Sequence, residues 1–347
     1  MTFISFKPTA RLVPGVGKTS AKIAIIGDYT SNFDDSALKP FAGPSGTVLD
    51  SCLHSAKIIR PEVYLTNIFK SKTTLNGKYA NTDFFNEAKK SFTPKGLDHA
   101  QLLRDELDSL DCNVIVVTNL AALMALTNLT SLNTFRGYVT PSTKLKRVKK
   151  IIPTFSPYST IHGNFINRHL IVADLKKAKQ ESVLPELVRP ERNLIYEFAN
   201  VEEVLQWLDY YTQASIVSFD IEVINYETAA VSFASTPEVG ISIPIGATDQ
   251  RPSGWTEDEE LQIWRGIQRV LGNPNSAKVA QNCIFDIHFL LTRNGVEVRG
   301  PIYDTMIGHS VMFPELSKGL AFLGSLYCGS QAYWKDMVKF TNIKGES

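Results

Sequence analysis

Asp220 and Glu222 stand two residues apart in the run Ile216-Val217-Ser218-Phe219-Asp220-Ile221-Glu222. On a strand, residues i and i+2 share a face, so both carboxylates project together from a largely apolar segment. Like charges held side by side destabilise each other, and a hard divalent cation with oxygen ligands relieves that repulsion. An exposed edge strand accounts for the same pair without a metal. A second polar group follows in Gln281-Asn282-Cys283-Ile284-Phe285-Asp286, where the strand-like run Ala277-Lys278-Val279-Ala280 gives way to an apolar helix. Asp304 opens a further apolar helix and is read as its structural N-cap.

The N-terminal half carries a different set. Asp28 follows Ile26-Gly27, Phe41 sits within Pro40-Phe41-Ala42-Gly43-Pro44-Ser45-Gly46, Asn67 ends Val63-Tyr64-Leu65-Thr66, and Ser156 lies in Phe155-Ser156-Pro157-Tyr158. A basic run, with Lys144, Lys146, Arg147, Lys149 and Lys150, immediately precedes the strand leading to Ser156. Such a run suits DNA phosphates, and equally a solvated turn. Gly15-Val16-Gly17-Lys18-Thr19 lacks the earlier glycine of a phosphate-binding loop, because position 12 is Leu. The four cysteines, Cys52, Cys112, Cys283 and Cys328, form no Cys-x-x-Cys pair, so neither an iron–sulfur cluster nor a zinc site is expected.

These residues need elements to hold them. Ile23–Ile26, Val63–Thr66, Val114–Val117 and Ile151–Thr154 read as buried strands, and 46–57, 98–110, 119–127 and 166–179 as helices. That alternation predicts an α/β domain on a parallel sheet. Downstream, Val201–Tyr211 reads as a helix, Ile216–Ile221 as a strand, 227–233 and 239–245 as an antiparallel continuation, and 256–271 as a helix. The prolines of 181–193 mark a linker, so the expected divisions are an extension at 1–20, domains at 21–180 and 194–347, and the linker between them.

The 347 residues allow two full cores. The net charge of +1 hides an asymmetry, since residues 1–182 carry 24 basic against 14 acidic side chains while 183–347 carry 12 against 21. A basic module suits a polyanion and a carboxylate surplus suits a metal. No segment reaches the roughly 18 apolar residues of a membrane span, and the start has no secretory pattern, so a cytoplasmic protein with no membrane partner is expected.

Phe219-Asp220-Ile221-Glu222 and Asn282-Cys283-Ile284-Phe285-Asp286 resemble the first two motifs of the 3′–5′ proofreading exonucleases of the ribonuclease H-like superfamily. The likeness is greatest to bacteriophage DNA polymerases related to bacterial polymerase I, over about 195–340, where Tyr303–Met306 and Lys318–Leu323 look like the helices that follow. It implies a mixed-sheet fold and two Mg²⁺ or Mn²⁺ ions roughly 3.5–4 Å apart. By the resemblance, Asp220 bridges both ions, Glu222 orients water, Asp286 holds the second ion, and Asn282 and Phe285 position a single-stranded DNA 3′ end. The family's third motif, Tyr-x-x-x-Asp, does not occur after Asp286. Tyr333-Trp334-Lys335-Asp336 is one residue short, so a downstream polymerase segment or chain is expected to supply the fourth carboxylate.

The N-terminal motifs resemble the uracil-DNA glycosylase superfamily, most closely its iron–sulfur family 4, over about 20–180. This implies a three-layer parallel-sheet domain with Phe41 stacking on an extruded base and Asn67 reading it. Asp28 falls where relatives have Glu, Ser156 where they have the catalytic His, and Ser71 where they have a cluster Cys. A hydroxyl cannot replace that His donor, which implies a degenerate, DNA-contacting pocket. The combined expectation is the N-terminal part of a phage-type replicative polymerase. The alternatives are a catalytically silent module docking DNA or a partner, and a working glycosylase.

Overall fold

The computed structural model describes residues 11–73, 82–245 and 254–329. Its residues group into two compact units, one running to Arg189 and joined by the chain from Ala321, the other spanning Pro190–Leu320.

In the first unit, strands Val63–Phe69, Ile23–Tyr29, Val114–Val117 and Lys150–Pro153 lie side by side and parallel, with Thr140–Pro141 antiparallel at one edge. The first three are apolar on both faces because helices cover both. Pro94–Asp108 and Leu120–Leu126 pack on one side with Ile26, Ile115 and Val117, whereas Pro44–Ser55 and Asn167–Glu181 bury Ile25, Val114 and Val116 on the other. Three layers follow directly from that double covering.

The expected linker is anchored rather than free up to Arg189. Lys150 is buried, and its ammonium donates to the carbonyl oxygens of Glu181, Leu184 and Glu186. Arg189 adds a bond to the Val139 carbonyl. Helix Leu320–Tyr327 also meets the first unit: Lys177 donates to the carbonyls of Gly137 and Ser325 at 2.6 Å each, and Arg136 donates to Ser325 while pairing with buried Asp174 at 2.8 Å.

The second unit is a six-stranded mixed sheet in the order Ile302–Asp304, Ala277–Ala280, Ile216–Ile224, Glu227–Ala234, Val239–Pro244, Asn193–Ile195. The middle strands run antiparallel as the sequence predicts, and both outer neighbours pair parallel. Val217, Phe219 and Ile221 point into a core shared with helices Val201–Gln213 and Glu257–Leu271. Alternation then sends Ser218, Asp220 and Glu222 to the opposite face.

Candidate functional site

In the second unit, Asp220 and Glu222 are both exposed on one face of the Ile216–Ile224 strand. Asp286 comes from the first turn of helix Ile284–Asn294, is 5 % exposed, and accepts the Ile221 backbone N–H at 3.3 Å. This bond fastens the helix start to the strand that carries the other two carboxylates. Burial, then the charges of Asp286 and Glu222, push the Asp220 carboxyl up to about 6. Burial likewise raises Asp286. Mutual repulsion among hard oxygen donors is the electrostatic condition that a divalent cation relieves. The donor chemistry therefore fits such an ion, although among the described residues no three His, Cys, Asp or Glu side chains converge closely enough to hold one.

Asn282 and Phe285 are exposed beside Asp286. Asn282 adopts a left-handed backbone, φ 60°, which Asn tolerates better than most residues and which turns the chain from strand to helix. Phe285 leans on Phe289 at 5.8 Å between centroids. Asp304 caps helix Thr305–Met312 through the Met306 and Ile307 N–H groups, and it also accepts those of Asn282 and Cys283. Four backbone donors make it a brace between two helix starts. Tyr333-Trp334-Lys335-Asp336 lies outside the described residues.

The first unit gathers the other expected group around a cavity of about 360 Å³. Asp28, Phe41, Asn67 and Ser156 all line it, with Ser31, Asp34, Ser45, Thr118 and Tyr158. Gly27 lets them meet, because a Cβ there would stand 2.2 Å from Asn67 Oδ1 and 2.8 Å from Phe41 Cζ. Phe41 holds φ 53°, a strained value for a bulky residue, and its carbonyl abuts Gly46 so closely that a side chain at 46 would overlap it. Burial, then the Glu87 charge, push the Asp28 carboxyl up to about 7. Ser156 caps the turn Pro157–Thr160 by accepting the Tyr158 N–H, which leaves a neutral hydroxyl at the cavity.

Ser71, expected from the resemblance at a cluster-cysteine position, contacts His99 Nε2 at 3.2 Å. His99 Nδ1 accepts the Lys70 N–H, so Nε2 carries the ring proton and donates to Ser71. Burial, followed by the Lys95 and Lys70 charges, pushes this imidazole down to about 4.

The basic run needs correction. Lys149 and Lys150 are 4 % and 2 % exposed, and their ammonium groups are taken up internally, Lys149 by the Leu110 carbonyl and Lys150 by the 181–186 carbonyls. Strand alternation does not govern them, because each long side chain runs inward to backbone carbonyls. Lys144 reaches the Met124 carbonyl at 2.7 Å. Lys146 and Arg147 are exposed.

Asp34 and two buried ion pairs escaped the sequence reading. Asp34 is buried in the cavity wall and closes a capping box with Ser31, a spacing legible in Ser31-Asn32-Phe33-Asp34. The pairs Lys70–Glu106, at 2.6 Å, and Arg136–Asp174 join residues 36 and 38 positions apart, and no local pattern announces them.

Residues 14–176 match the family model described as the uracil DNA glycosylase superfamily, and residues 197–341 match the one described as 3′–5′ exonuclease. Among curated proteins, the type-4 uracil-DNA glycosylase of Archaeoglobus fulgidus is 25% identical over 162 residues, covering 45% of this chain and 75% of its own. That of Thermotoga maritima is 26% identical over 173 residues, covering 48% and 81%. Among solved structures, the catalytic core of RRP6 from Trypanosoma brucei, mutant C496S, aligns at 16% identity with a TM-score of 0.30, over 39% of this chain. The match spans 35% of that structure's chain. No helix among the described residues is long and apolar enough to cross a membrane. The chain thus carries a uracil-DNA glycosylase superfamily domain followed by a 3′–5′ exonuclease domain of ribonuclease H-like fold.

Proposed function

We propose that the chain is the N-terminal part of a phage-type replicative DNA polymerase and acts as a metal-dependent 3′–5′ exonuclease of the proofreading kind, in the cytoplasm of a bacterial host. One observation carries the reading: Asp220, Glu222 and Asp286 come from a strand and a helix start, and their charges are felt together at Asp220. The three carboxylates do not converge on an ion as they stand; drawn together by Mg²⁺ or Mn²⁺ and completed by a further ligand, they would hold it, and the ion would supply Lewis-acid stabilisation of the phosphodiester's developing charge. The chain's own contribution is placement. The Ile221 N–H fixes Asp286, while exposed Phe285 and Asn282 offer a ring face and an amide to a single-stranded 3′ end. A downstream polymerase segment or chain would complete the ligand set.

The glycosylase-like domain serves in this reading as a DNA-contacting module without base excision. Support comes from Ser156, which by the resemblance takes the place of the family's histidine and whose hydroxyl cannot act as an imidazolium donor to a departing base anion. Release of mononucleotides from 3′ ends of single-stranded DNA, with Mg²⁺ or Mn²⁺ and with chelator, tests the nuclease. Wild type is expected to degrade and Asp286→Ala to lose at least a hundredfold in rate; equal rates would remove Asp286 from the site. Uracil-containing DNA followed by alkali is expected to stay intact.

A further inference from the structure

The glycines of Gly15-Val16-Gly17-Lys18-Thr19 serve close packing rather than a phosphate-binding loop. Val16 exchanges backbone hydrogen bonds with Leu65 at 2.8 Å each, which lays the segment along the outer edge of strand Val63–Phe69. Gly17 holds φ 138° there, and a Cβ would stand 2.6 Å from the Val63 carbonyl oxygen. Glycine alone fits so near the strand. The turn that follows, closed by the Ala21 N–H on the Lys18 carbonyl at 3.0 Å, brings Lys18 to a cavity of about 370 Å³ at the strand starts.

Four lysines reach this cavity from separate places in the chain. Lys18 comes from the turn, Lys22 from just before strand Ile23–Tyr29, Lys57 from just after helix Pro44–Ser55, and Lys179 from the last turn of helix Asn167–Glu181. Glu62 is the single carboxylate of the lining among the described residues. The Lys179 ammonium donates to the Lys57 carbonyl at 2.5 Å, and Lys22 pairs with Asp111 on the surface. Lys18 and Lys57 are exposed, and among the described residues no hydrogen bond or ion pair engages either ammonium group. Lys57 also holds φ 57°, a left-handed value that Gly or Asn ordinarily supplies after a helix and that a longer side chain makes costly. Strain kept at a lysine beside a cavity points to a use for its charge.

Ala21, Ile23, Ile58 and Val63, all buried, supply the apolar part of the lining. Cations around an apolar wall suit a ligand with one anionic end and one flat, weakly polar body, whereas an inorganic anion uses only the first. The volume lies near the lower end for small-molecule sites, which fits a single nucleotide rather than a longer segment. Five residues of strand, from Ile23 to Asp28, put roughly 16 Å between this cavity and that of Phe41 and Asn67 at the opposite end of the sheet. We propose that this second cavity binds a mononucleotide, with Lys18 and Lys57 on its phosphate and the base against the apolar wall. The site is independent of the nuclease reading and of the glycosylase-like pocket.

Isothermal titration calorimetry of the full chain in chelator tests it with thymidine, inorganic phosphate, dTMP and a 5′-phosphorylated oligothymidylate. The nucleotide dTMP is expected to bind about tenfold more tightly than thymidine or phosphate. Lys18→Ala and Lys57→Gly should each weaken dTMP about fivefold, and together more. Resistance to urea should not fall in Lys57→Gly, because glycine relaxes the left-handed backbone. Lys39→Ala with Lys89→Ala, which removes two exposed charges elsewhere on this unit, should leave dTMP affinity within about twofold. An oligonucleotide that competes with dTMP and is lost in the same variants identifies a strand end as the source, and binding of dTMP alone a free nucleotide; either supports the site. No dTMP binding, or binding no tighter than that of inorganic phosphate, would overturn the nucleotide assignment. Affinity that survives loss of both Lys18 and Lys57 would place dTMP in another cavity and overturn the site.

Discussion

Replacing Asp220 by Asn separates a repulsive acidic cluster from a metal site by measuring stability rather than catalysis. Burial and the neighbouring charges of Asp286 and Glu222 raise the Asp220 carboxyl from 3.8 to about 6. Taken at face value, that rise corresponds to about 3 kcal/mol. Because Asp220 is exposed, solvent screening reduces the figure to about 1 kcal/mol. The sign follows from linkage. Between 3.8 and 6 the unfolded chain holds fewer protons than the folded one, so stability falls as pH rises through this window and the penalty is complete above it. A neutral Asn removes the penalty. In chelator at pH 7.5, Asp220→Asn should be more stable than wild type by about 1 kcal/mol, and the difference should vanish on titration below 4. Added Mg²⁺ or Mn²⁺ should reverse the order, because a ligand at a hundred times its Kd stabilises wild type by about 2.7 kcal/mol while a variant lacking a principal ligand gains less. Urea unfolding followed by tryptophan fluorescence suits the measurement, since Trp207, Trp255 and Trp264 all pack at the core of this unit. A variant less stable than wild type in chelator would refute the repulsion. Equal stabilisation of both proteins by metal would remove Asp220 from the ligand set.

Two further outcomes follow from buried groups. His99 is 3 % exposed and pushed down to about 4, so the unfolded state binds the extra proton between 6.5 and 4, and the first unit should lose about 3 kcal/mol as pH falls through that window. His99→Gln should flatten the dependence in tyrosine-monitored unfolding, and an unchanged slope would show that another group titrates there. Lys150→Ala should cost about 2–3 kcal/mol by stranding carbonyls of the 181–186 segment, whereas Lys146→Ala with Arg147→Ala should stay within about 0.5 kcal/mol. If the basic run meets single-stranded DNA, only the latter pair should lower the salt slope of binding, by about 1.4; the reverse pattern would contradict the burial of Lys150.

Much of the framework was readable in the sequence because its cues are local. Continuous apolar runs at Ile23–Ile26 and Val114–Val117 mark strands covered on both faces, and the alternation from Val217 to Glu222 fixes which side chains leave the core. The Asp304 cap was equally legible, since an acidic residue before an apolar helix needs only its own backbone neighbours. The basic run misled for a related reason. Composition gives the charge of Lys149 and Lys150, but whether a flexible four-carbon stem points outward depends on which distant carbonyls the fold brings within its reach.

Taken alone, the sequence determined two α/β units, the strand face shared by Asp220 and Glu222, and a neutral hydroxyl at position 156, because periodicity and residue chemistry act over a few positions. Tertiary structure alone decided that the Ile221 N–H ties Asp286 to the strand bearing those carboxylates, that Lys150 anchors the segment leading to Arg189, and that Asp34 and Tyr29 hold the Asn67 amide. Each of these is a hydrogen bond between groups distant in the chain. Its partner is set by how the layers pack, which short-range pattern does not encode.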